Sequence, residues 1–255
     1  MTARDFTAFL ERYGWPTGNR TFPYCIGHRG ASGHTTENTL ASFELASQLG
    51  AEMWELDTQL TRDGVVVVSH DDHLLRVFGV DKRISQLSAA ELGALRIGVP
   101  SFAEVAELGR RLGTGLYVEL KAPGSGLKCW SELMTHNQRF ACLGSFDTAQ
   151  VRQLRDAGCD FPLSVLVRVG HDPHALGDSA GADILHLCWE RAGERPQDLV
   201  TPALLQRAFG AGREIVLWHE ERPAILAEIM AMPALGICTD LPDLMRPELA
   251  RARLA

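Results

Sequence analysis

Apolar residues recur along the chain in short runs that are typical of buried β-strands. Eight such runs are distinguished, at residues 22–27, 53–59, 115–121, 140–146, 162–168, 182–188, 214–218 and 236–239. Between most of them the apolar spacing changes to the 3.6-residue period of a helix. Alternating strands and helices favour parallel βαβ units, and eight units predict an α/β protein with a single-domain (β/α)8 barrel. A doubly wound open sheet is the competing topology.

Signals for helix starts agree with this arrangement. Ser101 followed by Glu104 has the spacing of a capping box. Asp147 precedes another helical pattern, and Pro223 and Pro242 lie in the first turns of two more, where proline is tolerated.

Two segments outside the strand–helix alternation carry their own predictions. Residues 1–20 predict a helical cap, distinct from the barrel at residues 21–255, because Phe6, Phe9, Leu10 and Tyr13 share one helical face. We expect this face to cover the closed end of the barrel. Residues 71–100 are irregular and polar, which predicts a long loop with a short helix around residues 89–95.

Composition narrows the class of protein. The 255 residues carry 25 basic and 32 acidic side chains, a net charge of −7, which argues against a nucleic-acid-binding surface. No apolar run approaches the roughly 20 residues of a membrane helix, and acidic side chains interrupt residues 1–15, where a signal peptide would be apolar. Six scattered cysteines form no CxxC pair. We expect a reduced, cytoplasmic protein that acts on a small molecule, without nucleic-acid or integral-membrane contact; the oligomeric state is left open.

Two pairs of charged residues lie within the second and third barrel strands. Glu55 and Asp57 are two residues apart, as are Glu119 and Lys121. Alternate residues of a strand point to the same side, so each pair shares a face. Three carboxylates at one place suit Mg²⁺, Ca²⁺ or Mn²⁺ better than zinc.

Two histidines and an arginine are predicted to reach the same end of the barrel. His28 and Arg29 end the first strand, and a short β run at residues 65–68 ends just before His70. Catalytic groups of such barrels lie where strands end. A hard cation beside Arg29 and Lys121 would suit an anionic phosphate ester, and two imidazoles can divide general base and general acid work near neutral pH.

The order of these motifs resembles the glycerophosphodiester phosphodiesterase family. The resemblance is dense over residues 25–76 and thin over residues 122–213. It is carried by His28-Arg29-Gly30-Ala31-Ser32, Glu37-Asn38-Thr39, Trp54-Glu55-Leu56-Asp57, His70-Asp71, Val118-Glu119-Leu120-Lys121 and Gly236-Ile237-Cys238-Thr239-Asp240.

The resemblance implies a metal-dependent (β/α)8 phosphodiesterase of lipid metabolism that releases an alcohol and glycerol phosphate. It further implies that His28 and His70 form an acid–base pair. The three ligands of one divalent cation (Mg²⁺ or Ca²⁺) would be Glu55, Asp57 and Glu119, and the three substrate contacts would be Arg29, Lys121 and Trp218. Glu37 and Asn38 are interpreted as groups that hold the first loop. The nucleophile is either water or the neighbouring glycerol hydroxyl.

The chain departs from the family pattern at His34-Thr35-Thr36 and after Trp218. His219-Glu220-Glu221 stands where relatives usually carry Thr-Val-Asn. Strand alternation places Glu220 on the side of Trp218, where it either rims the pocket and favours a cationic head group or pairs with Arg191 or Arg222.

Three other functions are compatible with the same fold. One is a sphingomyelinase D-like phospholipase, and another is a barrel that binds a phosphoester without turning it over. The weakest is a metal-dependent isomerase or aldolase, since a fold alone does not fix a function.

Overall fold

Eight parallel strands close into a barrel in the computed structural model, which describes residues 4–18 and 21–248. The strands are β1 Tyr24–His28, β2 Met53–Leu60, β3 Val66–Val68, β4 Gly115–Leu120, β5 Ala141–Ser145, β6 Leu163–Arg168, β7 Ile184–Cys188, β8 Glu214–Leu217 and β9 Gly236–Thr239. All except β3 form the barrel, which is closed because β1 pairs with both β2 and β9. The predicted (β/α)8 barrel is confirmed, and the open sheet is wrong.

Each barrel strand is followed along the chain by a helix that covers the outside. The helices are α1 Thr7–Tyr13, α2 Leu40–Gln48, α3 Leu75–Phe78, α4 Ala89–Ala94, α5 Phe102–Leu112, α6 Ser125–Thr135, α7 Thr148–Asp156, α8 Pro173–Ala180, α9 Pro202–Gly210, α10 Pro223–Met230 and α11 Pro242–Met245. The predicted starts are confirmed: Ser101 and Glu104 form a capping box, and Asp147 caps α7. Pro223 and Pro242 occupy first turns.

Alternation along β4 shows how the strands separate core from site. Leu116 and Val118 pack in the cluster between strands and helices, while Tyr117 packs in the cluster inside the barrel. Glu119 is two residues beyond Tyr117 and therefore also points inward, at the carboxyl end of the strand.

An aromatic segment fills the amino-terminal end of the barrel. Phe9 and Tyr13 of α1, with Trp15, are buried in the interior cluster. The Trp15 ring lies 5.0 Å from the Phe140 ring and 6.3 Å from the Tyr24 ring, centroid to centroid. The division of the chain at residue 20 stays a prediction, because residues 1–3 and 19–20 lie outside the described ranges.

The segment between β2 and α5 is more ordered than its polarity suggests. β3 lies within the β run predicted at residues 65–68 and pairs antiparallel with the end of β2, so the two strands form a hairpin. α3, a 3₁₀ turn at Ile84–Gln86 and α4 then fold over a small core of their own. α4 matches the short helix expected around residues 89–95.

Neither a disulfide nor a membrane-spanning helix is found in the part of the chain that the structure describes. All six cysteines are free thiols, and five of them are buried. Within the described residues, no helix has the length and apolar character needed to cross a bilayer.

Candidate active site

Three carboxylates meet where β2 and β4 end. Asp57 and Glu119 are directly paired across the two strands, and Glu55 lies two residues earlier on the same face. The exposed fractions of Glu55, Asp57 and Glu119 are 3%, 1% and 6%, and one oxygen from each lies within 4.8 Å of the others. The two predicted pairs therefore converge on one point, as their spacing required.

Lys121 and Arg29 partly compensate this concentrated negative charge. Lys121 Nζ lies 2.9 Å from Glu119 Oε1 and 3.2 Å from Asp57 Oδ1, and Arg29 Nε lies 3.3 Å from Asp57 Oδ2. Burial and the neighbouring Asp57 raise the pKa of Glu119 to about 7 despite Lys121. Burial also raises the pKa of Glu55 well above its usual range, with Asp57 and Glu119 adding to it. Burial also acts to raise the pKa of Asp57, but Lys121 and Arg29 outweigh it and lower that pKa.

The loop after β1 adopts a strained conformation that aims its groups at the carboxylates. Arg29 and Asn38 both have positive φ, 55° and 56°, which is uncommon outside glycine. The Arg29 backbone N–H donates to Glu55 Oε2 at 3.1 Å, and Asn38 Nδ2 donates to Asp57 Oδ2 at 2.9 Å. Gly30 has φ 88°, and a Cβ there would lie 2.4 Å from Ser42 Oγ. The loop is thus tied to the carboxylates by its own strained residues.

His28 is held on one side by Asp240 and on its face by His219. Its Nδ1 lies 2.6 Å from Asp240 Oδ1, which also accepts a hydrogen bond from Ser32 Oγ at 2.8 Å. The rings of His28 and His219 stack at 4.5 Å with an interplanar angle of 4°. Burial lowers the pKa of His28 more than Asp240 raises it. For Asp240, burial is outweighed by the hydrogen bonds from His28 and Ser32, which bring its pKa to about 2.

His70 is supported by a chain of ion pairs that returns to Arg29. Its Nδ1 lies 2.7 Å from Asp71 Oδ1, and Arg76 Nε donates to Asp71 Oδ2 at 2.5 Å. Arg76 also donates to Glu37, which accepts a further hydrogen bond from Arg29 Nη1 at 3.1 Å. One network therefore positions both the hairpin that bears His70 and the loop that follows β1.

One cavity of about 440 Å³ collects these groups. Seven of the eight predicted site residues line it: His28, Arg29, Glu55, His70, Glu119, Lys121 and Trp218. Asp57, the eighth, is not among the lining residues and is joined to them through Lys121 and Arg29. Phe146 and Leu166 supply apolar wall, so the cavity is polar at its strand ends and partly apolar elsewhere.

The family model for the glycerophosphoryl diester phosphodiesterases matches residues 28–244, nearly the whole barrel. The chain belongs to this family. It is therefore a phosphodiesterase enzyme, and the family resemblance read from its motifs is confirmed.

Relatives of this phosphodiesterase cover the chain to different extents. The Bacillus subtilis protein YhdW is 29% identical over 237 residues, which are 86% of this chain and 95% of that protein. A human lysophospholipase D is 49% identical over only 67 residues, 26% of this chain and 21% of that protein. The solved structure of an Oleispira antarctica phosphodiesterase with the product sn-glycerol-3-phosphate is 22% identical, has a TM-score of 0.74, and covers 90% of this chain and 97% of that one. This last likeness concerns the fold.

Glu220 of this phosphodiesterase does not rim the pocket. It is 2% exposed, and its carboxylate accepts hydrogen bonds from Arg222 Nε at 2.7 Å and from Trp218 Nε1 at 3.1 Å. The alternation argument fails here because β8 ends at Leu217, before Trp218. Of the two predictions for Glu220, pairing with Arg222 is confirmed and the position on the pocket rim is wrong.

Three residues of the site were not predicted as functional groups. His219 lines the cavity, Asp240 holds His28, and His186 contributes to the cavity wall from inside the barrel. Burial and the nearby imidazoles of His28 and His219 lower the pKa of His186 to about 3. Asp240 follows β9 as His28 ends β1, and since these strands are neighbours in a closed barrel, that position was the available signal.

Proposed function

We propose that this phosphodiesterase hydrolyses a glycerophosphodiester to an alcohol and glycerol phosphate, with the eight residues above in the roles that the resemblance implies. The observation that carries the proposal is the cavity itself. It brings together an acidic triad, two imidazoles backed by carboxylates, and two cationic side chains. Each is a group that can contribute to phosphodiester hydrolysis, as a metal ligand, a proton-transfer group or a phosphate contact.

The triad fits a single hard divalent cation. Its donors are all carboxylate oxygens, which Mg²⁺ and Ca²⁺ prefer. Three buried carboxylates face only two cationic side chains, and the raised pKa values of Glu55 and Glu119 indicate that the triad lacks positive charge. Glu55, Asp57 and Glu119 would hold the cation, which would supply charge stabilisation at the phosphoryl oxygens.

His28 and His70 suit proton transfer because a carboxylate orients each imidazole ring. A carboxylate engages Nδ1 of each ring, which leaves Nε2 to exchange a proton in the cavity. One imidazole takes the proton of the attacking hydroxyl, and the other donates a proton to the departing alkoxide, so the pair is reset by exchange with solvent.

Arg29, Lys121 and Trp218 form the walls that would receive the phosphodiester. The Arg29 side chain lines the cavity, while its Nε is buried 3.3 Å from Asp57 Oδ2. Arginine suits two-point contact with phosphate oxygens, whereas Lys121 acts as a point charge. Trp218 is held by Glu220 and presents a fixed apolar surface to the alcohol.

Lysophospholipids are the second candidate substrate class. The observation in their favour is the strong local identity to a lysophospholipase D, together with the apolar wall at Phe146 and Leu166. A glycerol-sized group fits the cavity of about 440 Å³ more completely than an acyl chain, which would extend beyond it. Glycerophosphodiesters are therefore preferred.

The test is turnover of glycerophosphocholine, glycerophosphoethanolamine and lysophosphatidylcholine by the purified chain. We expect release of glycerol phosphate with Mg²⁺ or Ca²⁺, none after EDTA treatment, and recovery when either cation is returned. Preferred turnover of the lysophospholipid would support the second candidate. Unimpaired turnover by a Glu119→Gln variant, or no turnover of any diester, would contradict the proposal; His171→Ala is the matched control because His171 is exposed and outside the cavity lining.

A further inference from the structure

A second group of metal-ligating side chains lies beside the acidic triad. His28, His219 and Asp240 follow or end β1, β8 and β9, which are neighbours in the barrel. One ligand atom from each lies within 4.8 Å of the other two. None of the three belongs to the triad, although His28 Nε2 lies 3.9 Å from Glu55 Oε2.

The donors of the two groups differ in kind. The triad offers three carboxylate oxygens, whereas this group offers two imidazole nitrogens and one carboxylate oxygen. Imidazole donors suit zinc and other late transition metals, and three protein ligands with an open position form a common zinc site. Mg²⁺ and Ca²⁺ bind poorly to such a set, so the two groups can be loaded with different ions.

The geometry of the group is close to what zinc requires. His28 Nδ1 and Asp240 Oδ1 are 2.6 Å apart. Two ligands of one tetrahedral zinc, each about 2.0–2.2 Å from the metal, lie about 3.3 Å from one another, so a shift of under about 1 Å admits the ion. The His219 ring is parallel to that of His28, with 4.5 Å between the ring centroids, and one of its nitrogens lies within 4.8 Å of a ligand atom of each of the other two residues.

Neighbouring groups already hold Asp240 in place. Ser32 Oγ donates to Asp240 Oδ1 at 2.8 Å, and the Asp240 backbone N–H donates to Glu221 Oε1 at 2.8 Å. Such supporting hydrogen bonds orient the ligands of metal sites and affect affinity. Ser32 and Glu221 are therefore placed to orient Asp240 as a metal ligand.

We propose that His28, His219 and Asp240 bind one Zn²⁺ ion and that this ion inhibits the enzyme. Zinc takes the place of the proton that joins His28 Nδ1 to Asp240. The displaced proton moves to Nε2 of the neutral ring, which thereby loses its lone pair. The ring can then no longer accept a proton from the attacking hydroxyl, and as a neutral imidazole it is a weaker proton donor to the departing alkoxide than an imidazolium. The inhibition rests on the proposed function of His28, whereas the binding does not.

The test separates binding from activity. The full chain is dialysed against Zn²⁺ in excess Mg²⁺, and bound zinc is counted by elemental analysis in wild type, His219→Gln, Asp240→Asn and His171→Gln, with folding checked by circular dichroism. We expect one zinc per wild-type and His171→Gln chain. Each of the other two variants should bind at least tenfold more weakly, since losing even a supporting contact costs a metal site roughly 10–100-fold in affinity. Turnover of the preferred diester in Mg²⁺ should fall as zinc fills the site.

The possible outcomes distinguish a failure of the zinc site from a failure of the proposed function. Zinc binding that is undiminished in folded His219→Gln and Asp240→Asn, or no zinc bound by wild type, overturns the inference and leaves the proposed hydrolysis intact. Specific zinc binding by a chain that hydrolyses no diester supports the site and contradicts the proposed function. Zinc that binds specifically without affecting turnover overturns the inhibition.

Discussion

His28 and His70 share one arrangement at the level of single side chains, in which a carboxylate holds Nδ1. They differ in their surroundings, because His28 is stacked against another imidazole and its side chain is 18% exposed, whereas that of His70 is 30% exposed. Orientation by a carboxylate fixes the tautomer of an imidazole and the direction of its second nitrogen. The backing carboxylates therefore contribute to the site without lining its cavity.

Removing His28 should affect turnover more than removing its support. His28→Ala should lower kcat by about 10²–10⁴-fold, the usual contribution of a general acid or base. Asp240→Asn should lower kcat less, because the imidazole remains and loses only its orientation. Steady-state kinetics with glycerophosphocholine checks this order, and His171→Ala should behave as wild type. A His28→Ala enzyme with wild-type kcat would remove His28 from the mechanism.

His186 should make the protein sensitive to acid. Burial lowers its pKa from about 6.5 to about 3, so at pH 7.5 neither the folded nor the unfolded chain is protonated there. Below about pH 6.5 the unfolded chain binds a proton that the folded chain does not bind, and the free energy of unfolding falls as pH approaches 3. Urea unfolding at pH 7.5 and pH 5 should show a smaller decrease for His186→Gln than for wild type. An equal decrease in both proteins would show that another group is responsible.

Glu220 should matter for stability and not for substrate choice. Its carboxylate is buried against Arg222 and Trp218, so Glu220→Gln weakens a buried charge-assisted contact and lowers Tm. The rank order of kcat/KM across choline, ethanolamine and glycerol diesters should stay as in wild type. A changed rank order of kcat/KM would show that Glu220 takes part in substrate choice.

At the level of elements, the direction of a side chain could be predicted within a strand but not in the loop that follows it. Period-two alternation placed Glu55, Asp57 and Glu119 on the inner face, and it holds because all three lie within regular strands. It failed at Glu220 because the chain leaves β8 three residues earlier. Local periodicity ends with the strand, and the direction of a loop side chain depends on partners that are distant in sequence.

Contacts between distant strands explain the residues that sequence reasoning missed. Asp240 and His28 are 212 positions apart and meet only because the barrel closes between β9 and β1. His219 reaches the same place from β8. The predicted barrel makes β1 and β9 neighbours, but the register between them was not predicted, so their adjacency was available from the sequence and the contact between these side chains was not.

The aromatic segment around α1 should stabilise the barrel without entering the chemistry. Phe9 is 8% exposed within the interior cluster, so Phe9→Ala should reduce the free energy of unfolding by about 3–5 kcal/mol. Leu112→Ala, at a residue that is 42% exposed, should change it by only about 0.5 kcal/mol. Urea unfolding measures both. The kcat of the folded Phe9→Ala protein should equal that of wild type, and a lower kcat would mean that this end of the barrel influences the site.

On the scale of the whole molecule, the net charge of the chain is negative, whereas several cationic side chains lie at the cavity. The chain carries a net charge of −7, yet Arg29, Lys121 and Arg191 are among the residues that line the cavity, together with Glu190. Anionic substrates approach a negative protein against its overall field. Because the two cationic side chains face three carboxylates, a cation bound by the triad would supply the remaining local attraction. Arg29 and Lys121 also contact the acidic triad, so the proposed recognition of the phosphate would depend on the charge state of the carboxylates.

The filled amino-terminal end also has a kinetic consequence. Side chains pack the barrel interior from the aromatic segment up to the cavity floor, as in other barrels of this kind. An incoming diester and a departing phosphomonoester must then travel through the same opening in opposite directions. Glycerol phosphate and the diester would both bind the free enzyme in this one cavity, so glycerol phosphate should be a competitive inhibitor that raises KM and leaves kcat unchanged. Initial rates measured over a grid of substrate and product concentrations check this, and inhibition that high substrate concentration fails to relieve would show that glycerol phosphate also binds an enzyme form other than the free one.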